Sequence, residues 1–343
     1  MKFFYLAFVK PNGSGVHRKV LNQLNSIEDL FDDIEVVYDV DKNYFYKIAT
    51  RYWILLKILF NRTETIYYVR QQSFVPFLQL FLKNKFWVYE LNAHVPSERK
   101  ALSFLKRQIL RFSSDERCIK KSSFVVSVSN ELLELYDYLG CNALVVSNSI
   151  RDVPSAPSGK KTNALDCEVH TSKRLKFLYV VNHAQSWQGF DIFVKIALNS
   201  IDCDFHVAGY APPTLNAPNI HHHGFLDEKD LITLAGTCDI GISSLAFERS
   251  GLTEASPLKS RFYIEQDLPF VGSYRDTEFD DYPFYTRLTG TSEEIVDEFE
   301  RLKLCFTKCK PSDFDLSSHV YREKELIKFR KIIGAFIENS TNR

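Results

Sequence analysis

The chain has 343 residues, more than one hydrophobic core usually serves, so its length favours two domains. With 45% hydrophobic and 25% charged residues, and only 13 glycines and 12 prolines, the composition excludes a disordered, collagen-like or low-complexity protein. The 43 basic and 43 acidic side chains balance, and seven scattered cysteines without a C-x-x-C pair argue against a disulfide framework or a zinc site.

The first half of the chain alternates short strand-forming runs with helical patterns. Strands are predicted at 2–9, 34–38, 65–69, 86–90, 123–128 and 143–146, and helices at 16–27, 44–60, 75–82, 98–112 and 130–139. Such alternation is typical of βαβ units around a mostly parallel sheet. We therefore expect an α/β domain over residues 1–150.

A polar stretch rich in Pro, Gly and Ser covers residues 151–173, and the alternation starts again after it. We interpret 151–173 as a linker and 174–317 as a second α/β domain. A final amphipathic segment, 318–343, is predicted to be a helix that packs back toward the first domain.

Charge is unevenly distributed along the neutral chain. Residues 42–121 hold 16 basic and 5 acidic side chains, and the helical segment 44–62 adds Trp and Tyr to its basic residues. Together with 99–111, this segment predicts a surface for an anionic partner such as a membrane. The alternative is a pair of core helices with solvated basic faces. No secretory leader is recognised at the first residues, so the cytoplasm is the expected location.

Three loops follow predicted strands, where parallel sheets bind ligands. The first is Gly13-Ser14-Gly15, whose alternative is a plain tight turn. The second places Ser256 as N-cap and Pro257 at the first helical position, with Lys259 in the opening turn. A lysine there opposes the helix dipole unless an anion binds; the alternative is a solvated surface lysine. The third is the Trp187–Gly189 loop, whose tryptophan could instead cover a core edge.

Several segments resemble the GT-B glycosyltransferases of the large group 1, or family 4-like, class. The resemblance covers LKFLYVVNHAQSWQGFDIFVKIA, DFHVAGY and GLTEASPLKSRFYIEQDLPFV in the second half, and VSVSNELLELYDYLGCNALVVSNSI in the first. It implies two Rossmann-like domains facing a central cleft. It also implies transfer of a sugar from a nucleoside-diphosphate sugar to a glycan or polyprenyl-linked acceptor in surface-polysaccharide biosynthesis, at the inner face of the plasma membrane.

The same resemblance assigns residues to roles. Catalytic positions would be Glu254, which would bind hydroxyls of the transferred sugar, His94 and Lys259. The donor would be held by Gly13, Ser14, Gly15, Arg18, Trp187, Gln188, Gly189, Gly209, Ser256, Pro257, Leu258, Arg261 and Glu265. The acceptor would meet Glu90, Asn92 and Glu98. His94 has the alternative of a loop histidine that bonds only backbone groups.

Two departures from the family pattern leave an alternative function open. Phe262 stands where the family has a second glutamate, for which Glu265 is the nearest substitute, and Gln188 stands where a lysine precedes the glycine. A non-catalytic protein that binds sugar nucleotides or glycans, derived from such a transferase, is therefore the alternative.

The resemblance further implies a retaining reaction that needs no metal or other cofactor. Asp202-Cys203-Asp204 spells a D-x-D motif, but its helix–strand junction favours capping. His221, His222 and His223 alternate between the two faces of a predicted strand and cannot converge on one ion. No nucleic-acid-binding module is recognised, so nucleic acid is not an expected partner.

Overall fold

The structure is a computed structural model that describes residues 1–11, 14–39, 43–61, 63–71, 77–93, 115–154, 174–181, 185–210, 217–306 and 308–341. The chain divides into two units. The first contains Met1–Ser147 and Tyr321–Arg343, and the second contains Asn148–Val320. Each unit holds one six-stranded parallel sheet.

The first unit has the alternating pattern that the sequence predicts. Its strands are β1 (Lys2–Leu6), β2 (Asp33–Val37), β3 (Thr65–Arg70), β4 (Phe86–Leu91), β5 (Phe124–Ser127) and β6 (Ala143–Val145), in the order β2-β1-β3-β4-β5-β6. Its helices include α1 (Gly15–Asn25), α2 (Tyr44–Phe60), α3 (Leu78–Phe81), α4 (Asp115–Lys121) and α5 (Asn130–Glu134). The strand order reverses between β1 and β3, as in a doubly wound sheet.

The second unit repeats the architecture. Its main sheet runs β14-β12-β10-β7-β8-β9, built from β7 (Lys176–Val181), β8 (Asp204–Gly209), β9 (Ile220–Gly224), β10 (Ile240–Ile242), β12 (Phe270–Gly272) and β14 (Tyr285–Arg287). A separate parallel pair joins β11 (Glu254–Ala255) to β13 (Arg275–Asp276). The helices are α6 (Phe190–Asn199), α7 (Glu228–Ala235), α8 (Leu258–Glu265) and α9 (Ser292–Leu302). The order reverses between β7 and β10, and ligands of such sheets bind at this switch point.

The final helix, α10 (Tyr321–Thr341), belongs to the first unit. Its Phe329 and Ile332, three residues apart on one face, are buried in the core of that unit. The ring of Phe329 meets Phe3 of β1 edge-on, with centroids 5.2 Å apart. Helix α10 therefore completes the core between α1 and the sheet.

The structure corrects two domain boundaries. Residues 148–150 belong to the second unit, because the backbone N–H of Asn148 donates to Ser256 Oγ at 2.7 Å and its carbonyl accepts from Arg261 Nε at 2.7 Å. The second unit also extends to Val320, whose backbone bridges to Ile150. Of the predicted linker, 155–173 lie outside the described residues, as does the predicted helix 98–112.

The strand pairing confirms the α/β fold class. All pairs in both sheets are parallel, and most strand residues are buried. Among the helices in the described parts of the chain, none is both long and apolar enough to cross a membrane.

Candidate functional site

The carboxyl ends of β7 and β10 and the start of α8 bring three polar side chains together in the second unit. Lys259, in the first turn of α8, donates from Nζ to Gln188 Oε1 at 2.5 Å. Ser244, two residues after β10, donates to the same oxygen at 3.5 Å. The amine also lies 5.0 Å from the ring centre of Tyr179 on β7. These residues form a small polar cluster at the switch point of the sheet.

The amine of Lys259 lacks an anionic partner within the described part of the chain, where no carboxylate lies within ion-pair distance of it. Burial lowers the pKa of Lys259 to about 7, because the charged form loses its hydration and gains no opposite charge. An anion bound beside it would favour the charged amine again. The cluster is therefore electrostatically suited to a phosphate group.

The N-terminus of α8 differs from its prediction in one residue. The N-cap is Pro257 rather than Ser256, and no described side chain caps the helix. Ser256 is unavailable as a cap because its Oγ accepts the backbone N–H of Asn148. The first turn, which starts at Leu258, also contains no acidic residue. Its N–H groups and the positive end of the helix dipole are thus left for an external acceptor.

The loop before α6 requires its glycine. Gly189 has φ +75°, and a Cβ there would lie 2.8 Å from Leu245 Cβ and 2.9 Å from the backbone nitrogen of Ala246. The preceding carbonyl, of Gln188, accepts the N–H of Leu245 at 3.0 Å and the hydroxyl of Tyr179 at 2.6 Å. This close packing fixes the position of the Gln188 side chain beside Lys259.

We expect Gly189→Ala to destabilise the protein by about 3 kcal/mol, from left-handed backbone strain and overlap with the 245–246 backbone. Gly251→Ala is a matched control, since Gly251 has φ +81° but, apart from the glycine and its two chain neighbours, no atom of the described residues lies within 4 Å of the point that a Cβ would occupy there. Gly251→Ala should lower the free energy of unfolding only by the cost of left-handed backbone strain, about 1–2 kcal/mol. Urea unfolding of both variants measures the difference, and equal losses would contradict the packing described here.

Glu254 lies on β11 and is buried. Its Oε2 accepts a hydrogen bond from Arg275 Nη2 at 3.3 Å. A cavity of about 450 Å³ is lined by Arg275, by Thr253, which precedes Glu254, and by Arg287; Glu254 is not one of its lining residues. A carboxylate next to such a cavity can accept hydrogen bonds from hydroxyl groups of a ligand once it is reached.

Two other predicted donor residues of α8 have different partners. Arg261 is buried, and its guanidinium forms an ion pair with Asp276 and a hydrogen bond to the Asn148 carbonyl. Glu265 accepts the backbone N–H of Arg151 at 2.7 Å, about 9 Å along the helix from Lys259. Both side chains therefore have partners inside the second unit, and their predicted roles in donor binding stay predictions.

Contacts within the second unit surround Phe262 and two further predicted donor residues, Trp187 and Gly209. Phe262 packs in a hydrophobic core. Trp187 is half-buried and meets Phe247 edge-on, with centroids 5.9 Å apart, which agrees with the alternative that its ring covers a core edge. Gly209 ends β8 with φ +107°, where a Cβ would overlap the Val181 carbonyl oxygen. Only glycine fits there.

In the first unit, the loop after β1 leads directly into a capped helix. Ser14 is the N-cap of α1, and its Oγ accepts the backbone N–H of His17 at 3.3 Å. Gly15 is the first residue of α1, and Arg18 lies in its first turn and is half-buried. Gly13 lies outside the described residues. The described residues of this loop therefore show a capped helix start, and both interpretations of Gly13–Gly15 stay open.

Glu90, a predicted acceptor residue, forms a buried ion pair that the sequence did not indicate. Its Oε1 lies 2.8 Å from Lys19 Nζ, and its Oε2 accepts the hydroxyl of Tyr5 at 3.2 Å. Burial raises the pKa of Glu90, but the positive charges of Lys19, Lys328 and Arg70 outweigh it and lower the pKa to about 2. The ionised carboxylate therefore stabilises the core of the first unit, and its predicted contact with an acceptor stays a prediction.

Asn92 belongs to the same network, because its Oδ1 accepts from Lys19 Nζ at 2.9 Å. Lys19 and Glu90 are far apart in sequence, so no motif could have paired them. The predicted roles of His94 and Glu98 fall on residues outside the described ranges.

The histidines of β9 lie on alternate faces, as predicted, and a further histidine joins them. His221 and His223 stack on His206 of β8, with ring centroids 5.0 and 5.2 Å away, and His206 Nδ1 lies 3.0 Å from His223 Nε2. His222 points the other way, toward the Gly209 carbonyl. Within the described ranges, no group of three or more His, Cys, Asp or Glu side chains is arranged to hold a metal ion.

This histidine stack predicts acid sensitivity. Burial, with His221, His223 and Lys176 nearby and Asp204 opposing them, lowers the pKa of His206 to about 4. Below pH ~6.5 the unfolded chain binds a proton that the folded chain does not, so stability is lost as the pH falls toward ~4. After allowance for solvent screening, we expect the free energy of unfolding to fall by about 1 kcal/mol over this pH range. His206→Gln should remove this loss. Urea unfolding at neutral and acidic pH measures it, and an equal loss in the variant would contradict this role.

Comparisons with known proteins give the fold. No family model matches the chain, and no curated protein matches it in sequence. Among solved structures, a sucrose-phosphate synthase from Thermosynechococcus elongatus matches with a TM-score of 0.68 and 9% identity, over 98% of this chain and 100% of that one.

Two further solved structures match over nearly the whole length. An alpha-glucosyltransferase in complex with UDP and a 13-mer DNA has a TM-score of 0.60 and 12% identity, over 98% of this chain and 99% of that one. Anabaena HepE in complex with UDP and glucose has a TM-score of 0.56 and 12% identity, over 100% of this chain and 99% of that one. This chain, with its two doubly wound parallel sheets, has the GT-B fold.

Proposed function

We propose that this protein is a glycosyltransferase that moves a sugar from a nucleoside-diphosphate sugar to a hydroxyl acceptor. The observation that carries the proposal is the amine of Lys259. It lies at an uncapped helix N-terminus, beside Gln188, and no carboxylate of the described chain pairs with it. In a GT-B fold, that position suits a diphosphate. The neighbours whose structures contain UDP make UDP-sugars the first donors to test.

The polar cluster would act mainly on the leaving group. As the glycosidic bond to the phosphate breaks, negative charge grows on the departing diphosphate. A protonated Lys259 and the positive end of α8 stabilise that charge more in the transition state than in the ground state. Gln188 keeps the amine in place and leaves its positive charge unneutralised. A carboxylate at position 188 would neutralise that charge.

Glu254 would bind the transferred sugar. Its buried carboxylate can accept hydrogen bonds from sugar hydroxyls, and Arg275 forms an ion pair with it. We propose a retaining reaction without a metal, because Lys259 and the α8 dipole can supply the positive charge at the diphosphate. Activity should then survive EDTA, and the product should keep the anomeric configuration of the donor; loss of activity or inversion would contradict this part.

The proposed acceptor is a glycan or a polyprenyl-linked oligosaccharide, in surface-polysaccharide biosynthesis by an enzyme peripheral to the plasma membrane. One structural neighbour contains DNA in its complex. Nucleic acid therefore belongs in the acceptor screen as a competing class, although the sequence predicts no such partner. Transfer to hydroxymethylated DNA but to no glycan would overturn the acceptor proposal.

The second candidate is a non-catalytic sugar-nucleotide or glycan-binding protein. It is favoured by one observation: Phe262 is packed in the core where the family pattern has a second glutamate, and Glu265 is engaged by Arg151. Such a protein would keep the diphosphate site and lack transfer.

A donor screen separates these candidates. Thermal unfolding of the full chain is measured with UDP-, GDP-, dTDP- and ADP-sugars, and transfer or hydrolysis of labelled sugar is followed in parallel. A ligand at about 100 times its dissociation constant should add about 2.7 kcal/mol of stability. Stabilisation with sugar release supports the transferase. Stabilisation without turnover of any acceptor supports the binding protein, and no stabilisation by any donor contradicts both the transferase and a sugar-nucleotide-binding protein.

A further inference from the structure

The solvent face of α2 is apolar. Its residues at positions i, i+4, i+8, i+11 and i+15 are Phe45, Ala49, Trp53, Leu56 and Phe60, which we call the apolar stripe. Phe45 is 82% exposed, Trp53 61% and Phe60 78%. A surface helix of a globular domain normally presents polar residues on this side.

The apolar stripe is separate from the face of α2 that packs on the core. Leu55 and Ile58 are buried in the first unit. Arg51, near that side, forms an ion pair with Asp39 at 2.8 Å. The helix is therefore anchored through one face while a second apolar face remains in solvent.

The exposed apolar surface extends beyond α2. Tyr52 contacts Phe81 of α3, with ring centroids 5.8 Å apart, and Leu80 of α3 is also exposed. The 17 residues of α2 span about 25 Å. Single exposed apolar residues are ordinary, but a continuous stripe of this length marks an interaction surface.

The charged side chains of α2 itself have one sign. The segment 43–61 contains no Asp or Glu. Lys57 is exposed, and its Nζ lies 5.5 Å from the ring centre of Trp53; Lys83, just after α3, is exposed as well. Apolar residues with Trp and flanking lysines are typical of helices that lie in the interface of an anionic membrane.

We propose that α2 lies flat in the headgroup region of an anionic lipid bilayer, with the apolar stripe inserted and Lys57 at the phosphate level. A second copy of the chain fits this surface less well, because two copies paired through the stripe would bring cationic helices together without a compensating carboxylate on either helix. A protein partner would need an apolar groove ringed by acidic groups.

The inference differs from attraction through the basic segment alone. Insertion of the apolar stripe adds a hydrophobic contribution to the binding free energy that salt does not screen. Binding should therefore weaken in high salt, because the charges are screened, but part of it should persist. The proposal concerns the partner of the first unit and stands whether or not sugar is transferred. Its test reads vesicle binding, whereas the donor screen reads nucleotide binding, so their failures are distinguishable.

The test is co-sedimentation of the full chain with phosphatidylcholine vesicles and with vesicles that also contain phosphatidylglycerol. We expect binding to the anionic vesicles, with quenching of Trp53 fluorescence by brominated acyl chains and loss of that quenching in Trp53→Phe. Phe60→Gln should lower the partition coefficient about tenfold. Phe225→Gln, which changes a side chain 74% exposed in the second unit, should leave it unchanged.

Three outcomes would overturn the proposal. The first is no binding to anionic vesicles at low salt, and the second is equal binding by the wild type and Phe60→Gln. The third is a dimer in analytical ultracentrifugation that Phe60→Gln dissociates, which would identify a second copy as the occupant. Thermal unfolding of both phenylalanine variants checks that they remain folded.

Discussion

Replacing Lys259 with methionine should stabilise the unliganded protein and remove most of its affinity for a nucleoside diphosphate. The pKa of this lysine falls from about 10.5 in the unfolded chain to about 7 in the folded protein. Between pH ~10.5 and pH ~7 the unfolded chain therefore binds more protons than the folded chain. The resulting free-energy penalty on folding grows as the pH falls from ~10.5 to ~7 and is constant below pH ~7. Removing the charge should add about 1–2 kcal/mol of stability, after allowance for solvent screening.

The same change should weaken diphosphate binding about 10- to 100-fold, because a charge-assisted hydrogen bond of about 1.5–3 kcal/mol is lost. Lys229→Met is a matched control: Lys229 is also the second residue of its helix, but it is exposed, and Asp227 caps that helix. Urea unfolding and calorimetric titration with UDP measure both effects. A destabilised Lys259→Met variant with unchanged affinity would show that the lysine is structural.

The pH dependence of binding follows from the same group. An anion beside Lys259 raises the pKa of its amine, so above pH ~7 the amine takes up a proton when the anion binds. Well below pH ~7 the amine is already protonated and binding takes up no proton. Affinity should therefore be greatest below pH ~7 and fall as the pH rises. Lys259→Met should flatten this profile, and an unchanged profile would assign it to another group.

Replacing Glu254 with glutamine should lower sugar transfer about 10- to 100-fold and change UDP affinity less than about threefold. The carboxylate is proposed to bind hydroxyls of the sugar, and its loss removes charge-assisted hydrogen bonds there. Arg275, its partner, is largely exposed and stays hydrated, so the fold should be retained.

Glu248→Gln provides the control for this change. Glu248 lines the cavity beside Glu254, but it is exposed. Transfer rates and calorimetric UDP titrations should show a rate defect confined to Glu254→Gln. Equal rate losses in both variants, or a loss of UDP affinity that accounts for the rate, would contradict the assignment of Glu254 to the sugar.

The fold was largely predictable, because buried parallel strands appear in sequence as short apolar runs between helical patterns. Sequence also located the start of α8, since Pro257 and Lys259 are local signals. It misplaced the cap by one residue because Ser256 is held by Asn148, 108 residues away in sequence. Long-range partners of this kind leave no local pattern.

The same limit explains the contacts that the sequence did not indicate. Arg261 looked available for phosphate, but its partner Asp276 is on β13, and only the folded chain brings them together. Glu90 is paired with Lys19 across the first unit in the same way. For α2, the helical spacing of apolar residues was visible in sequence, yet it fitted a core helix equally well. Phe45 and Phe60 are exposed, which a helix buried through its apolar face does not explain.

The central claim is that the start of α8 holds a diphosphate. A crystal structure of the full chain with UDP tests it most directly. We predict phosphate oxygens within hydrogen-bond distance of Lys259 Nζ and of the first N–H groups of α8, in place of the Lys259–Gln188 hydrogen bond. A diphosphate bound between Arg275 and Arg287 in the neighbouring cavity, with Lys259 still bonded to Gln188, would contradict the account.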